Sequence, residues 1–327
     1  MNLGLPMLPF AVLAAAVFAV SSAMLCAIAY PLLRRIVLGL DPTRRTRVLV
    51  VWSMVPLGLS GLLTLLGVLP LGLSLMGCMG EGHTHFCVAH PHLILDERLL
   101  WAVYLVLALL MVSALGTQLY GWWRTRCLLN SLATVSHYDR QRGLRVMDCA
   151  APLALTAGLS RPIVYISSSL VTALPSDMLR VIVAHERAHV RRRDGLIQFV
   201  AHLASLLHCP WVRRRLLADL SLACEQACDQ EAARVVGDPL RVAETLVALA
   251  RGFTSAKWVP AVGALSFGSG DLVPRIEALL STAPTPHGVS LPRQVWGVLF
   301  PLFLSAAGYA AEPLHRSVEA LLGLLSW

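Results

Sequence analysis

Long stretches without a charged side chain constrain this chain more than any other feature of its sequence. Residues 1–33, 48–80 and 99–123 contain no Asp, Glu, Lys or Arg, and a shorter stretch of this kind covers 294–311. About 20 consecutive apolar residues can cross a bilayer as a helix. Only 14% of the 327 residues are charged, whereas soluble domains carry about 25%. The sequence therefore predicts a mainly α-helical membrane protein with about four transmembrane helices.

The first predicted span has an alternative interpretation. A cleaved signal peptide is the alternative for the first, because residues 19–23 resemble a cleavage site. No basic residue precedes that run and it continues past the site, which favours a transmembrane helix ending near Pro31. The four predicted spans are about 7–30, 48–70, 99–123 and 291–311, and residues 312–327 form an amphipathic tail.

Basic residues between the runs orient the spans. The net charge is +8, and Arg34, Arg35, Arg44, Arg45 and Arg47 lie between the first two runs. Short loops rich in Arg stay on the cytoplasmic side, so residues 125–290 are expected in the cytoplasm and 77–98 outside. Because the arginines flank apolar runs, the charge indicates contact with the lipid bilayer and no direct nucleic-acid binding.

The expected external loop holds two cysteines and four histidines. Cys78 and Cys87 would most simply form a disulfide in an oxidising compartment. The same cysteines with His83, His85, His90 and His92 could instead bind Cu or Zn. Both interpretations remain open at this point.

Within 125–290, residues 185–189 read His-Glu-Arg-Ala-His, the His-Glu-x-x-His pattern of helical zinc sites. His185 and His189 are four residues apart and lie on one helix face, whereas Glu186 points elsewhere and can reach a metal-bound water. Ser176 is the expected N-cap of this helix and Gly195 its stop. Arg191–Arg193 are expected to form a solvated or lipid-facing surface.

A catalytic zinc needs a third protein ligand. Glu225 is the best candidate, since 36 residues after His189 leave room for a turn, a helix and a returning helix. Asp229 lies one turn further and could hold a ligand histidine through its second nitrogen. Cys224 and Cys228 are expected to be buried thiols, and the two remaining histidines nearby, His202 and His208, are expected to be packed.

These residues predict metal-assisted peptide hydrolysis. Zinc lowers the pKa of a bound water from about 15.7 to about 7, and Glu186 would act as the general base. Strand candidates lie at 144–148 and 163–167. We expect the second to pair with an extended substrate.

The segments 151–162, 184–194 and 225–229 resemble the BlaR/MecR-type integral membrane zinc metalloproteases. The resemblance implies a bacterial inner-membrane gluzincin with an inserted cytoplasmic α+β domain, zinc ligands His185, His189 and Glu225, and base Glu186. It also implies an antirepressor-like role, in which a cytoplasmic repressor is the protein substrate. A homodimer is one possible assembly. About 16 residues follow the fourth run, so the penicillin-binding sensor domain of the antibiotic sensors is expected to be missing.

Two other functions compete with a signalling protease. One is an HtpX-like membrane quality-control protease, which shares the motif logic. The other is a non-catalytic membrane metal sensor that uses the 78–92 loop as its receptor. The presence of Glu186 beside the ligands argues against the sensor, because a purely structural site needs no base.

Overall fold

The computed structural model describes residues 7–68, 97–252, 264–266 and 272–281, and these are mostly helical. The helices are α1 (Met7–Leu38), α2 (Pro42–Val68), α3 (Glu97–Thr134), α4 (Ser168–Ala173), α5 (Ser176–Arg192), α6 (Asp194–Ala204), α7 (Pro210–Val236), α8 (Pro239–Gly252) and α9 (Leu272–Leu280). The strands are β1 (Ser136–Asp139), β2 (Leu144–Met147), β3 (Ala154–Ala157), β4 (Ile163–Ser167) and β5 (Ala264–Ser266). The predicted fourth span, the tail, Cys78 and Cys87 lie outside the described residues.

Three described helices are long and apolar enough to cross a membrane, over Ala15–Leu38, Pro42–Thr64 and Tyr104–Thr134. The first continues past Pro31, so the expected end there is wrong. A proline removes a single helical N–H, and packing compensates here, because Tyr30 and Val37 are buried on either side of it. The second begins at Pro42, earlier than predicted. Asp41 starts it, since its side chain accepts a hydrogen bond from the Thr43 N–H at 3.1 Å.

A proline within α2 also explains the environment of one histidine. Pro56 has no N–H, so the Trp52 carbonyl loses its helical partner. His208 Nε2 lies 3.2 Å from that carbonyl oxygen and donates to it. His202 Nδ1 lies 2.9 Å from the main-chain oxygen of Gln198. Each histidine therefore bonds to a main-chain carbonyl within the fold, in agreement with the prediction that both are packed.

The five strands form one sheet in the order β1-β2-β4-β3-β5. β2 and β4 pair in parallel, and the other pairs are antiparallel. The strands predicted near 144–148 and 163–167 are present as β2 and β4. However, β4 lies between β2 and β3, so both of its edges are already paired. The expectation that this strand pairs with an extended substrate is wrong.

Each face of the sheet packs on helices. Leu144, Val164 and Ile166 face a cluster that includes Leu179 and Ile182 of α5. On the opposite face, Met147, Leu155 and Tyr165 pack with Leu129 and Leu132 near the end of α3. The sheet therefore fixes α5 on one side, where it carries the His-Glu-x-x-His segment.

The first two helices share a core with the later part of the chain. Tyr30 and Val37 of α1 and Leu49 of α2 belong to one buried cluster with Ala201 of α6. From α7, the same cluster includes Val212, Leu216, Leu220, Ala223 and Cys224. This core crosses the predicted boundary at residue 124, so the α1–α2 hairpin packs directly on the helix that carries Glu225.

Candidate active site

The ends of α5 differ from those predicted, and the difference builds the site. Pro175 occupies the N-cap position without a side-chain hydrogen bond, and Ser176 is already helical. The helix stops before Gly195, because Arg193 adopts a left-handed conformation with φ 56° and ψ 42°. Its N–H bonds to the His189 carbonyl. α6 starts at once with Asp194, so the turn brings that side chain back beneath His189.

The three predicted metal donors converge in the interior. His185 and His189 are each 2% exposed, and their Nε2 atoms lie 3.1 Å apart. α7 packs against α5 and places Glu225 opposite. Glu225 Oε2 is 3.5 Å from Nε2 of His185, and Oε1 is 3.5 Å from Nε2 of His189. The donor atoms of this group lie within 4.8 Å of one another, so the group could hold a metal ion.

Each histidine is held through its other nitrogen by a buried aspartate. His185 Nδ1 lies 2.9 Å from Asp229 Oδ1, the contact expected from the sequence. His189 Nδ1 lies 2.9 Å from Asp194 Oδ2, a partner that no sequence pattern indicates. A carboxylate next to each Nδ1 favours the tautomer that is protonated there, and this tautomer leaves both Nε2 atoms available to bind a metal.

A buried arginine from α9, which no sequence pattern indicates either, completes one side of the site. Arg275 is 2% exposed and donates two hydrogen bonds to Asp229, from Nε and Nη2, each at 2.8 Å. Its Nη1 lies 3.2 Å from Glu225 Oε2. One guanidinium therefore fixes both the third donor and the aspartate behind His185.

The Arg191–Arg193 surface predicted to face solvent or lipid is only partly exposed. Arg191 is exposed and pairs with Glu231 of α7 at 2.9 Å. Arg192 is largely buried and its Nε lies 3.2 Å from both oxygens of Asp194. Its Nη1 and Nη2 lie 3.3 Å from the hydroxyls of Thr43 and Thr46 at the start of α2. The prediction is wrong for Arg192, because the turn at Arg193 directs it inward.

Cys224 and Cys228 are completely buried, as expected. Cys228 Sγ lies 3.2 Å from Asp194 Oδ2 and 3.2 Å from His189 Nδ1. Burial raises the pKa of the Cys228 thiol well above its usual value, so the group stays protonated and donates to Asp194. His189, Asp194 and Cys228 are a second set of mutually close donors, but they share the histidine of the first set.

Glu186 lies against the sheet, at 1% exposure. Thr156 of β3 places its hydroxyl 2.7 Å from Glu186 Oε2 and 2.9 Å from the Glu186 carbonyl oxygen. Burial raises the pKa of Glu186, although the neighbouring histidines and Thr156 act in the opposite direction. The structure thus provides a buried carboxylate whose proton affinity is higher than that of a solvated glutamate.

The remaining acids are held ionised. Burial alone would raise the pKa of Glu225, but Arg275 and the two histidines lower it to about 2. Asp229 shows the same balance, with Arg275 and His185 outweighing burial and lowering its pKa. For His185, burial acts to lower the pKa, and Asp229 and Glu225 raise it to about 9. The centre therefore attracts positive charge, either as protons or as a metal cation.

A family model described as BlaR1 peptidase M56 matches residues 94–279, which is more than half of the chain. The matched range contains the three candidate metal donors, Glu186, both aspartates and Arg275. Members of this family are membrane-bound metallopeptidases, in agreement with the three apolar helices and the buried donor group. The chain therefore belongs to the BlaR1 peptidase family M56.

Proposed function

We propose that this protein is a zinc metalloendopeptidase of the gluzincin type, in the bacterial inner membrane. Its proposed substrate is a cytoplasmic protein, a transcriptional repressor, cleaved in response to a signal. One observation carries this proposal. The side chains of His185, His189 and Glu225 converge in a group that could hold a metal ion, and the buried carboxylate of Glu186 comes directly after His185 in the sequence.

The donor set fits zinc. Two histidine nitrogens and one carboxylate are the protein ligands of a common class of catalytic zinc sites, which keep a fourth position for water. The aspartates behind His185 and His189 fix the required tautomers, as carboxylates do in such centres. Zinc, when bound, supplies a water of lowered pKa and polarises the scissile carbonyl.

In this proposal one residue of the chain transfers the proton, and others hold the reacting groups in position. Glu186 accepts the proton of the attacking water and delivers it to the leaving amine. Thr156 orients this carboxylate by its hydrogen bond to Oε2, so Oε1 is the atom that carries the proton. Arg275 and Asp229 hold Glu225 and His185 in place, while Arg192 and Asp194 do the same for His189.

The proposed cytoplasmic side is supported by the arginines that flank the α1–α2 connection. Arg34 and Arg35 lie near the end of α1, and Arg44, Arg45 and Arg47 lie in the first turns of α2. The positive-inside rule favours the cytoplasmic side for such a cluster. Arg192, next to the candidate site, contacts Thr43 and Thr46 at the start of α2. Arg45 also donates to Gln226 of α7 at 2.9 Å. These contacts support a site at the cytoplasmic end of the hairpin.

The metal site and the chemistry are tested separately on the purified full-length protein in detergent. We expect Glu225→Ala to lose bound zinc in elemental analysis, whereas Glu244→Ala, an exposed glutamate of α8, retains one ion per chain. Zinc content unchanged in Glu225→Ala would show that the third ligand is wrong. Glu186→Gln should keep its zinc, because this residue is not a ligand.

The substrate class is tested in the host by comparing the proteomes of wild-type and Glu186→Ala cells. A single transcription factor that is cut only in the wild type supports the signalling protease. Broad accumulation of damaged membrane proteins in the variant would instead indicate a quality-control protease. No difference, with zinc still bound, would contradict proteolysis and favour a membrane metal sensor.

A further inference from the structure

A basic cavity opens between the end of α1 and the first turns of α7, on surfaces that the candidate active site does not use. Its volume is about 640 Å³. Four arginines and two aromatic residues dominate its lining: Arg34, Arg35, Arg214, Arg215, Tyr30 and Trp211. Arg35, Arg214 and Arg215 are exposed, so three guanidinium groups face an accessible space.

Among the described residues, the only carboxylate that pairs with this lining is that of Asp219, and it already accepts hydrogen bonds from two lining residues. Arg34 donates to both oxygens of Asp219, from Nε at 2.6 Å and from Nη2 at 3.1 Å. The hydroxyl of Tyr30 donates to the same carboxylate at 2.9 Å. Four arginines therefore line the cavity, and the one carboxylate that pairs with them already accepts three hydrogen bonds. The cavity has a net positive charge, which an anion would balance.

An apolar stripe on α1 lies beside the cavity, because Leu32 is three residues before the lining residue Arg35 on the same helix. Leu25, Ile28, Leu32 and Ile36 are each more than 60% exposed. Their spacing of three or four residues places them in one stripe on the helix, within the segment Ala15–Leu38 that is apolar enough to cross a membrane. Trp211, which is 52% exposed, lies at the cavity, as aromatic residues do at membrane interfaces.

We propose that this cavity binds an anionic phospholipid. Arg35, Arg214 and Arg215 hold the phosphodiester, since guanidinium groups form paired hydrogen bonds with phosphate oxygens. An acyl chain lies along Ile28 and Leu32. Inorganic phosphate has the same charged chemistry, but it would leave the apolar stripe uncovered, and the stripe identifies a lipid as the ligand.

The bound lipid connects two parts of the molecule. Its phosphate contacts α1 through Arg35 and α7 through Arg214 and Arg215, and α7 continues to Glu225. The site does not depend on the proposed proteolytic function, because none of its residues contacts the metal donors. It requires only that α1 lies in a membrane.

Native mass spectrometry of the full-length protein in detergent tests this proposal, with phosphatidylglycerol or phosphatidylcholine added in equal amounts. We expect wild-type protein to retain one phosphatidylglycerol per chain and to release phosphatidylcholine. The double variant Arg214→Gln/Arg215→Gln should bind phosphatidylglycerol roughly thirtyfold more weakly. This is the fold-change expected when two basic residues each lose the free energy that one gains near an anionic lipid surface. The matched control, Arg124→Gln/Arg126→Gln on α3, removes the same charge and should bind like the wild type.

Three results would overturn the proposal. The first is that the Arg214→Gln/Arg215→Gln variant retains as much phosphatidylglycerol as the wild type. The second is that the wild type retains phosphatidylcholine as well as phosphatidylglycerol. The third is that inorganic phosphate displaces phosphatidylglycerol at a similar concentration. The last result would identify a soluble-phosphate site. If the double variant does not fold, Arg35→Gln probes the same cavity from α1. A roughly fivefold loss of affinity is expected there, and no loss contradicts the proposal.

Discussion

At the scale of single residues, the candidate site is a set of buried charges that compensate each other. Asp229 and Glu225 share the guanidinium of Arg275, and Asp229 also holds His185. A buried charge is tolerated when its partners satisfy it, and removal of one partner leaves the others uncompensated. Arg275 is therefore the residue on which the geometry of this side of the site depends most.

Replacement of Arg275 tests that dependence. Arg275→Gln leaves two buried carboxylates without their cation, and we expect a loss of about 3–5 kcal/mol in the free energy of unfolding. Affinity for zinc should fall about 10–100-fold, the usual effect of losing a residue that orients metal ligands. Denaturant titration measures the first effect and chelator competition the second.

Two variants complete this experiment. Arg275→Lys keeps the charge but loses the paired hydrogen bonds, so its zinc affinity should lie between those of the wild type and Arg275→Gln. Arg251→Gln, at an exposed arginine of α8, should change neither stability nor affinity. If Arg275→Gln unfolds at the wild-type denaturant concentration and keeps its zinc affinity, Arg275 does not position the ligands.

The sequence predicted the residues of the site that helical spacing brings together. His185 and His189, and separately Glu225 and Asp229, are one turn apart, so each pair shares a helix face wherever the helices pack. Asp194, Arg275 and Thr156 follow no such rule. Arg275 reaches Asp229 across 46 residues, and Asp194 reaches His189 only because Arg193 turns the chain. A left-handed arginine has no recognisable sequence pattern.

At the scale of elements, β3 and the turn after it set the position of Thr156 beside Glu186. Gly158 follows β3 with φ 120°, a conformation that residues with a side chain rarely adopt. A Cβ at this position would lie 2.7 Å from the carbonyl oxygen of Arg161. The turn between β3 and β4 therefore requires glycine for two independent reasons.

We expect Gly158→Ala to destabilise the protein by about 1–3 kcal/mol, because the left-handed backbone is strained and the turn must shift. The thermal unfolding midpoint in detergent measures this loss. Gly195→Ala is the control, since Gly195 lies in the helical first turn of α6 and a Cβ there has only an ordinary contact at 3.5 Å. A Gly158→Ala midpoint equal to that of Gly195→Ala would show that the turn relaxes without cost.

Sequence patterns predicted some elements better than others. The sequence of β2 alternates and that of β4 is a short run rich in β-branched residues, and both strands lie within a residue of their predicted bounds. β3 reads Ala-Leu-Thr-Ala and is buried throughout, so it offers neither alternation nor β-branched enrichment. Helix α1 passes Pro31 because contacts with α7 outweigh the local preference, an effect of tertiary packing that local sequence does not encode.

At the scale of the whole molecule, hydrogen bonds and a shared core join the α1–α2 hairpin to the helices that carry the site. The orientation of the hairpin therefore decides on which side of the membrane the site lies. We expect a cysteine introduced at Arg234, exposed at the end of α7, to react with a membrane-impermeant maleimide only after cell lysis.

The matched control is a cysteine at Glu81, in the loop predicted outside, which should react in intact cells. Both are placed in a background where Cys78, Cys87 and Cys127 are replaced by serine. Labelling of the Arg234 position in intact cells would contradict the cytoplasmic site.

The burial of Tyr30, Val37 and Leu49 against α7 also decides how an enzyme of this kind can be studied. A water-soluble fragment starting after residue 124 would uncover the apolar side of the helix that bears Glu225. It would also remove both partners that hold the Asp219 carboxylate. Such a fragment would aggregate or shift α7 away from its histidines. Inhibitor screens therefore need the hairpin and the helices that carry the candidate site together, in detergent or in a nanodisc.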